Sequence, residues 1–228
     1  MTKEKWINLL GNEFYHLFKD YLHSVEMDNL LIELYKLYNN KKVYPSPNNV
    51  FRCFKETPIS LLKVVILGQD PYFNGRATGI AFANDENVLD ISPSLLQIKN
   101  SVEYSVYNGL LIEFDTTLLS WSKQGVLLLN SALTVEEFKP KSHSFLWKNF
   151  IKYVIKTIND NFTGIHFAFW GADAKSFIPE VNNKLHFIYQ HTHPSYAVRN
   201  NVDWNCTHFK DINNNIILQN GKEEIVRW

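Results

Sequence analysis

Asp70, Asn130 and His193 each stand just past a short apolar run, in the stretches Gly68-Gln69-Asp70-Pro71-Tyr72, Val126 to Asn130, and His191-Thr192-His193-Pro194-Ser195. A carboxylate so placed can act as general base toward water or stabilise a developing cation, and base catalysis contributes ~10²–10⁴-fold. A neutral histidine or an oriented amide can donate to a developing oxyanion, an effect of ~10²–10³-fold per donor. No obvious nucleophile accompanies them. The set suits a bond that breaks into a cation and an oxyanion. An N-glycosidic bond to a pyrimidine breaks this way, leaving an oxocarbenium-like sugar and a base whose carbonyl oxygen takes up negative charge. Asn130 adds recognition, because one side-chain amide offers a donor and an acceptor to the carbonyl and N–H of a pyrimidine edge, a pattern that mismatches the exocyclic amine of cytosine.

The elements that must bring these residues together are legible as four apolar runs: Val64 to Leu67, Val126 to Leu129, His166 to Trp170 and His186 to Tyr189. Each is short, rich in β-branched or aromatic residues, and separated from the next by a helix-like segment, as expected of parallel strands covered on both faces. The helical segments fall near residues 94–106, 144–160, 172–181 and 207–219. Ahead of them, Trp6, Leu9, Leu10, Phe14, Leu17, Phe18 and Tyr21, then Leu30, Leu31, Leu34, Leu37 and Tyr38, repeat at helical spacing and predict two amphipathic helices. A turn-rich connector with Pro45 and Pro47 follows. The expected fold is α/β, a central four-stranded parallel sheet flanked by helices on both faces. It is expected as one domain over residues 1–228, with an N-terminal helical part over 1–60 and a motif-bearing part over 62–228. In such sheets ligands bind outside the carboxyl ends of the strands, so Asp70, Asn130 and His193 are expected to share one crevice.

Composition narrows the partners. With 45% hydrophobic and 20% charged residues, the chain has enough apolar content for one packed core. No apolar stretch approaches the ~18 residues of a membrane span, and the N-terminus mixes charge with apolar residues, so no membrane association and a cytoplasmic location are expected. The two cysteines, Cys53 and Cys206, are too few for a disulfide framework or a four-thiolate cluster and read as reduced thiols. Trp6, Trp121, Trp147 and Trp170 read as packing residues. Formal net charge is zero, so a nucleic-acid partner needs local positive surface. Arg76, Lys139, Lys141, Lys175 and Arg199 are candidate phosphate contacts, although isolated charges are commonly just solvated surface.

The motifs GQDPYF (68–73), GIAF (79–82), GVLLLNSALTV (125–135), FWG (169–171) and HTHPS (191–195), in this order, resemble those of the family 1 uracil-DNA glycosylases. The resemblance runs from about Leu62 to Trp228, and the ordered combination is far more specific than any single motif. It implies that Asp70 positions or activates water and stabilises the cationic sugar, and that His193 supports the uracil oxygen. It implies that Tyr72 blocks a thymine methyl, Phe82 stacks on the flipped base, Asn130 reads uracil, and Gln69 lines the pocket through its backbone. Ser92, Pro93 and Ser94 resemble the loop that pinches the DNA backbone, and Ser195, Tyr196, Ala197, Val198 and Arg199 occupy the loop that meets DNA. The implied substrate is uracil-containing DNA, single- or double-stranded, cut by a monomeric enzyme without cofactor or metal. A protein inhibitor or replication partner is left open. No lysine stands where a Schiff-base nucleophile is expected, so strand cleavage is not implied.

Three positions depart from the family pattern. Phe73 replaces a histidine, Ala172 replaces a serine after FWG, and Ala197 stands where a leucine wedge fills the hole left by the base. Tyr196 or Val198 is the alternative plug. These departures sustain a second reading, a glycosylase-like module that binds DNA with weakened activity. A third reading is a zinc-dependent hydrolase using Asp70, with ligands drawn from His191, His193, Cys206 and His208, although their spacing matches no established metal motif. Taken singly, Asp70 and Asn130 also read as ordinary turn and strand-end caps, Phe82 as a core residue and Tyr72 as a turn aromatic.

Overall fold

The computed structural model describes residues 2–88 and 90–228. In chain order the helices are α1 (Lys3–Asn8), α2 (Asn12–Leu17), α3 (Lys19–Leu22), α4 (Val25–Asn40), α5 (Arg52–Glu56), α6 (Pro93–Tyr107), α7 (Leu119–Lys123), α8 (Ser144–Asn161), α9 (Ala172–Lys175), α10 (Pro194–Asn200) and α11 (His208–Asn220). The strands are β1 (Val43–Tyr44), β2 (Val64–Gly68), β3 (Val126–Asn130), β4 (Val135–Glu136), β5 (His166–Trp170) and β6 (Phe187–His191). Strands β3, β2, β5 and β6, in that spatial order, form the expected parallel sheet, with helices on both faces.

The first three apolar runs become strands β2, β3 and β5 buried on both faces, whereas β6, at the sheet edge, is partly exposed. Val65, Leu67, Leu127, Leu129, Phe167 and Phe169 point into one core, shared with Phe14, Phe18 and Leu34 of the N-terminal helices and Trp147, Phe150 and Ile151 of α8. Val64, Ile66, Val126, Leu128, Ala168 and Trp170 point into the other, against Leu95, Ile98 and Val102 of α6 and Phe209, Ile212 and Ile216 of α11. This alternation explains near-continuous hydrophobic runs where a half-solvated sheet would show a polar residue at every second position. The first forty residues thus share a core with the motif-bearing part, and the four tryptophans read as packing residues are all buried.

Register fixes the site. Gly68 pairs with Asn130 across β2 and β3, Leu67 with Phe169 across β2 and β5, and Trp170 with His191 across β5 and β6. The carboxyl ends of the four strands therefore lie along one edge.

Three local expectations are corrected. The N-terminal region forms four helices rather than two, because Gly11, at φ +80°, separates α1 from α2 and Ser24 caps a new start at α4, its Oγ accepting the Met27 N–H (3.2 Å). The helix expected over 172–181 is the single turn α9 plus a separate 3₁₀ turn over Ile178–Glu180, with Pro179 inside that turn. The fourth strand runs to His191, beyond the expected end at Tyr189. The two-residue antiparallel pair β1–β4 is too short to leave a periodic signal. Among the described residues no helix is long and apolar enough to cross a membrane.

Candidate active site

A cavity of about 430 Å³ opens at the carboxyl edge of the sheet, and Gln69, Asp70, Tyr72, Phe82, Asn130 and His193 all line it. Two turns are tied together beneath it. The Ser131 N–H donates to the Gly68 carbonyl (3.1 Å), while the Ala132 N–H (3.0 Å) and the Ser131 hydroxyl (2.6 Å) both donate to the Gln69 carbonyl. The loop that carries Asp70 is thereby fixed to the loop that follows Asn130.

Asp70 lies half-buried. Its Oδ1 accepts from Gln69 Nε2 (2.8 Å) and its Oδ2 from the Lys141 backbone N–H (2.6 Å). Burial pushes its carboxyl above the usual range, the negative charge of Asp173 adds to this, and the two hydrogen bonds oppose it. One accepted bond on each oxygen fixes the orientation of the carboxylate.

His193 caps α10, its Nδ1 accepting the Ser195 backbone N–H (3.2 Å) and lying 2.8 Å from Ser195 Oγ. A backbone N–H can only donate, so Nδ1 carries a lone pair and the neutral ring carries its proton on Nε2. Burial, with Arg199 nearby, pushes the imidazole down to about 4. The ring is thus a neutral donor at physiological pH. Activity is therefore expected to rise as pH climbs through the region near 4, where His193 loses its proton, and through the ionisation of Asp70, whose carboxyl burial holds above its usual range, and then to stay level. A pH profile of single-turnover rates checks this. A limb centred near pH 6.5, the ordinary histidine range, would contradict the assigned protonation state.

Phe82 holds a backbone conformation that bulky residues rarely adopt, φ +67°, at a typical cost of ~1–3 kcal/mol. What holds it is visible: its ring packs against Trp170 (5.3 Å between centroids) and His193 (5.5 Å), and its carbonyl accepts the Tyr72 hydroxyl (3.0 Å). Since the Tyr72 proton goes to that carbonyl, the Ser92 hydroxyl is the donor in the 2.5 Å contact with Tyr72. The Tyr72 ring is thus locked from two sides. Gly68 permits this packing, for a Cβ there would fall 2.7 Å from Phe82 Cζ and 2.8 Å from Asn130 Oδ1. Gly68→Ala is expected to cost ~1–3 kcal/mol and to raise KM, as read by thermal unfolding and steady-state kinetics. Wild-type values for both would mean that neither side chain needs its present place.

The structure separates the residues expected at the DNA face. Pro93, Ser94, Ser195 and Arg199 line the cavity. Ser92 does not face outward: at 2% exposure its hydroxyl is given to Tyr72. Ala197 is likewise set apart from an outward-facing position, since it is 1% exposed on the inner face of α10, whereas Tyr196 (50%) and Val198 (37%) flank it on the outside. Lys139 and Lys141 are paired with Glu136 and Asp173 (both 2.6 Å), and the Arg76 guanidinium donates to the Asp90 carbonyl (3.3 Å). His208 Nδ1 accepts the Trp170 indole N–H (3.1 Å), Cys206 is buried, and among the described residues no three His, Cys, Asp or Glu side chains are grouped to hold a metal. Residues absent from the expected set include Ala77, Thr78 and Ile80 in the cavity wall, and Ser131, Pro140 and the Lys141 amide; of these, Pro140 and the Lys141 amide come from a separate loop. Only folding of the 138–141 loop onto Asp70 brings the last two into the site, and no sequence pattern announces it.

Comparison with known proteins identifies relatives of the chain. A profile of the Uracil DNA glycosylase superfamily matches residues 54–217. A uracil-DNA glycosylase of Buchnera aphidicola is 39% identical over 205 residues, 87% of each chain, and one of Fusobacterium nucleatum is 36% identical over 98% of this chain and 94% of its own. Among solved structures, mimivirus uracil-DNA glycosylase superposes with a TM-score of 0.86 at 26% identity, covering 97% of this chain and 88% of the viral one.

Proposed function

The chain belongs to the uracil DNA glycosylase superfamily, and from that membership and the cavity at the carboxyl edge of its sheet we infer that it excises uracil from DNA. It is a hydrolase of the N-glycosidic bond that leaves an abasic site, the first step of base excision repair. The observation that carries the assignment of roles is the convergence of Asp70, Asn130 and His193 with the rings of Tyr72 and Phe82 on one cavity.

A base stacked in a duplex is out of reach, so it must be flipped into the cavity at a cost of a few kcal/mol, recovered through contacts there. Phe82 supplies a face for stacking and Asn130 a donor and acceptor for the uracil edge. As the bond to the sugar lengthens, Asp70 stabilises the cationic sugar and orients or activates the attacking water. Nε2–H of His193 donates to the uracil oxygen on which charge collects. Tyr72 excludes thymine by sterics. A pocket that merely loses contacts with one extra methyl discriminates by only ~10–200-fold, so a ring locked by Phe82 and Ser92 is a stronger device. Pro93, Ser94, Ser195 and Arg199 grip the flanking backbone, and Tyr196 or Val198 fills the space the base leaves. A monomer is sufficient for this chemistry. A protein ligand is a further partner, a reading supported by a variant mimivirus UNG solved in complex with UGI, at 26% identity and a TM-score of 0.86 to this chain.

Oligonucleotides carrying a single uracil, thymine or cytosine, single-stranded and duplex, with excess chelator throughout, test the assignment. Abasic sites at uracil alone are expected. Binding without release would instead favour a retained DNA-binding module, and release abolished by chelator would favour the zinc hydrolase. Asn130→Asp replaces the amide donor with a charge beside the uracil carbonyl, and kcat/KM for uracil is expected to fall ~10–100-fold. Undiminished kcat/KM in that variant would remove Asn130 from recognition.

A further inference from the structure

Asp70 depends on an amide contributed from far along the chain. Its Oδ2 accepts the Lys141 backbone N–H at 2.6 Å, and Lys141 sits in the left-handed region at φ +65° within a loop whose Phe138 is also left-handed, at φ +57°. Such a loop does not hold its shape by local preference, because neither residue is a glycine. Its side chain supplies a tether: Lys141 Nζ lies 2.6 Å from Asp173 Oδ2, and Asp173 stands in α9, immediately after β5. One residue therefore joins Asp70 through its main chain and the β5–α9 turn through its side chain.

We propose that the Lys141–Asp173 ion pair is a positioning clamp for Asp70, holding the amide that fixes the carboxylate toward the sugar. This deepens the glycosylase reading and rests on it. The pair is half-exposed, and ion pairs of that kind contribute little to stability, so global folding is not its main consequence. Orientation of a reacting group is far more sensitive, for a displacement of ~1 Å can cost ~10²-fold in rate.

The charges also act on Asp70 in opposite senses. Asp173 raises its pKa and the Lys141 cation lowers it, while His193 and Arg199 line the same cavity across from it. These charge effects act with or without a clamp, so the clamp is decided by the rate, by the double variant and by the amide of position 141. The experiment compares Lys141→Met, Asp173→Asn and the double variant with Lys141→Arg and Asp173→Glu, none of which deletes the amide at position 141. In single-turnover and steady-state assays on a uracil oligonucleotide, each neutral single variant is expected to lower kcat ~10-fold with KM within about twofold. The double variant is expected to be no worse than either single, and the charge-preserving variants to recover most of the rate. The acid limb should move to higher pH in Lys141→Met and to lower pH in Asp173→Asn. Losses that multiply in the double variant, a change in KM alone, or charge-preserving variants as slow as the neutral ones would overturn the clamp.

A readout independent of turnover accompanies the kinetics: the backbone amide resonance of position 141 in labelled protein, followed through the titration of Asp70. In the wild type it should move as the carboxylate gains its proton, and in Asp173→Asn that response should weaken. An unchanged response overturns the clamp. Absence of uracil release by the wild type would instead count against the glycosylase reading, with the amide titration still deciding the clamp.

Discussion

Asp70→Asn is expected to lower single-turnover uracil release by ~10³-fold, within the span typical of a lost general base, while DNA affinity stays within about twofold. The substitution keeps the shape of the side chain. The asparagine oxygen can still accept the Lys141 N–H, and Gln69 can present its own carbonyl to the new amide by turning its side chain over. What disappears is the negative charge beside the sugar and the capacity to take a proton from water. Because the proposed role needs both only as the glycosidic bond breaks, the loss belongs in kcat rather than in binding. Paired measurements of single-turnover rate and DNA affinity separate these terms. A variant within a few-fold of wild type in rate would show that Asp70 is a turn cap after all, and a matching loss of affinity would place it in ground-state binding.

The sheet and the position of the site were legible for one reason: β2, β3 and β5 are buried on both faces, so their apolar runs were unbroken and the next polar residue marked the strand end. Asp70 and Asn130 followed from that mark. What was illegible depends on contacts between segments distant in sequence. Nothing in Phe138-Lys139-Pro140-Lys141 signals that two non-glycine residues turn left-handed and deliver an amide to Asp70. Ala197 shows the complementary failure, since alignment with a motif placed it at the DNA face while the geometry of a short helix turned it into the core. Ser92 looked like a surface loop residue, and its burial against Tyr72 makes it a support for that ring instead. The split of the N-terminal region, by contrast, had a visible signal in Gly11, which helical periodicity alone overlooked.

The second large effect is expected at His193. His193→Ala should lower kcat by ~10²–10³-fold, the size typical of one lost oxyanion donor, with little change in KM because the charge that Nε2–H meets does not yet exist in the bound substrate. The alternative role, a cationic imidazolium, conflicts with two features of the site. The Ser195 N–H already occupies Nδ1, and burial with Arg199 nearby pushes the ring down to about 4. Protonating Nδ1 would set an N–H against an N–H inside a partly buried site. Ser195→Ala separates the contributions of the cap, for it removes the hydroxyl but leaves the backbone N–H in place, so it should keep Nε2 as the donor and cost much less than His193→Ala. If the serine variant were as slow as the alanine variant at 193, the hydroxyl rather than the backbone would be setting the tautomer. If His193→Ala retained nearly full rate, the oxyanion would have to be stabilised by Asn130 alone, and the division of labour between the two strand ends would be reversed.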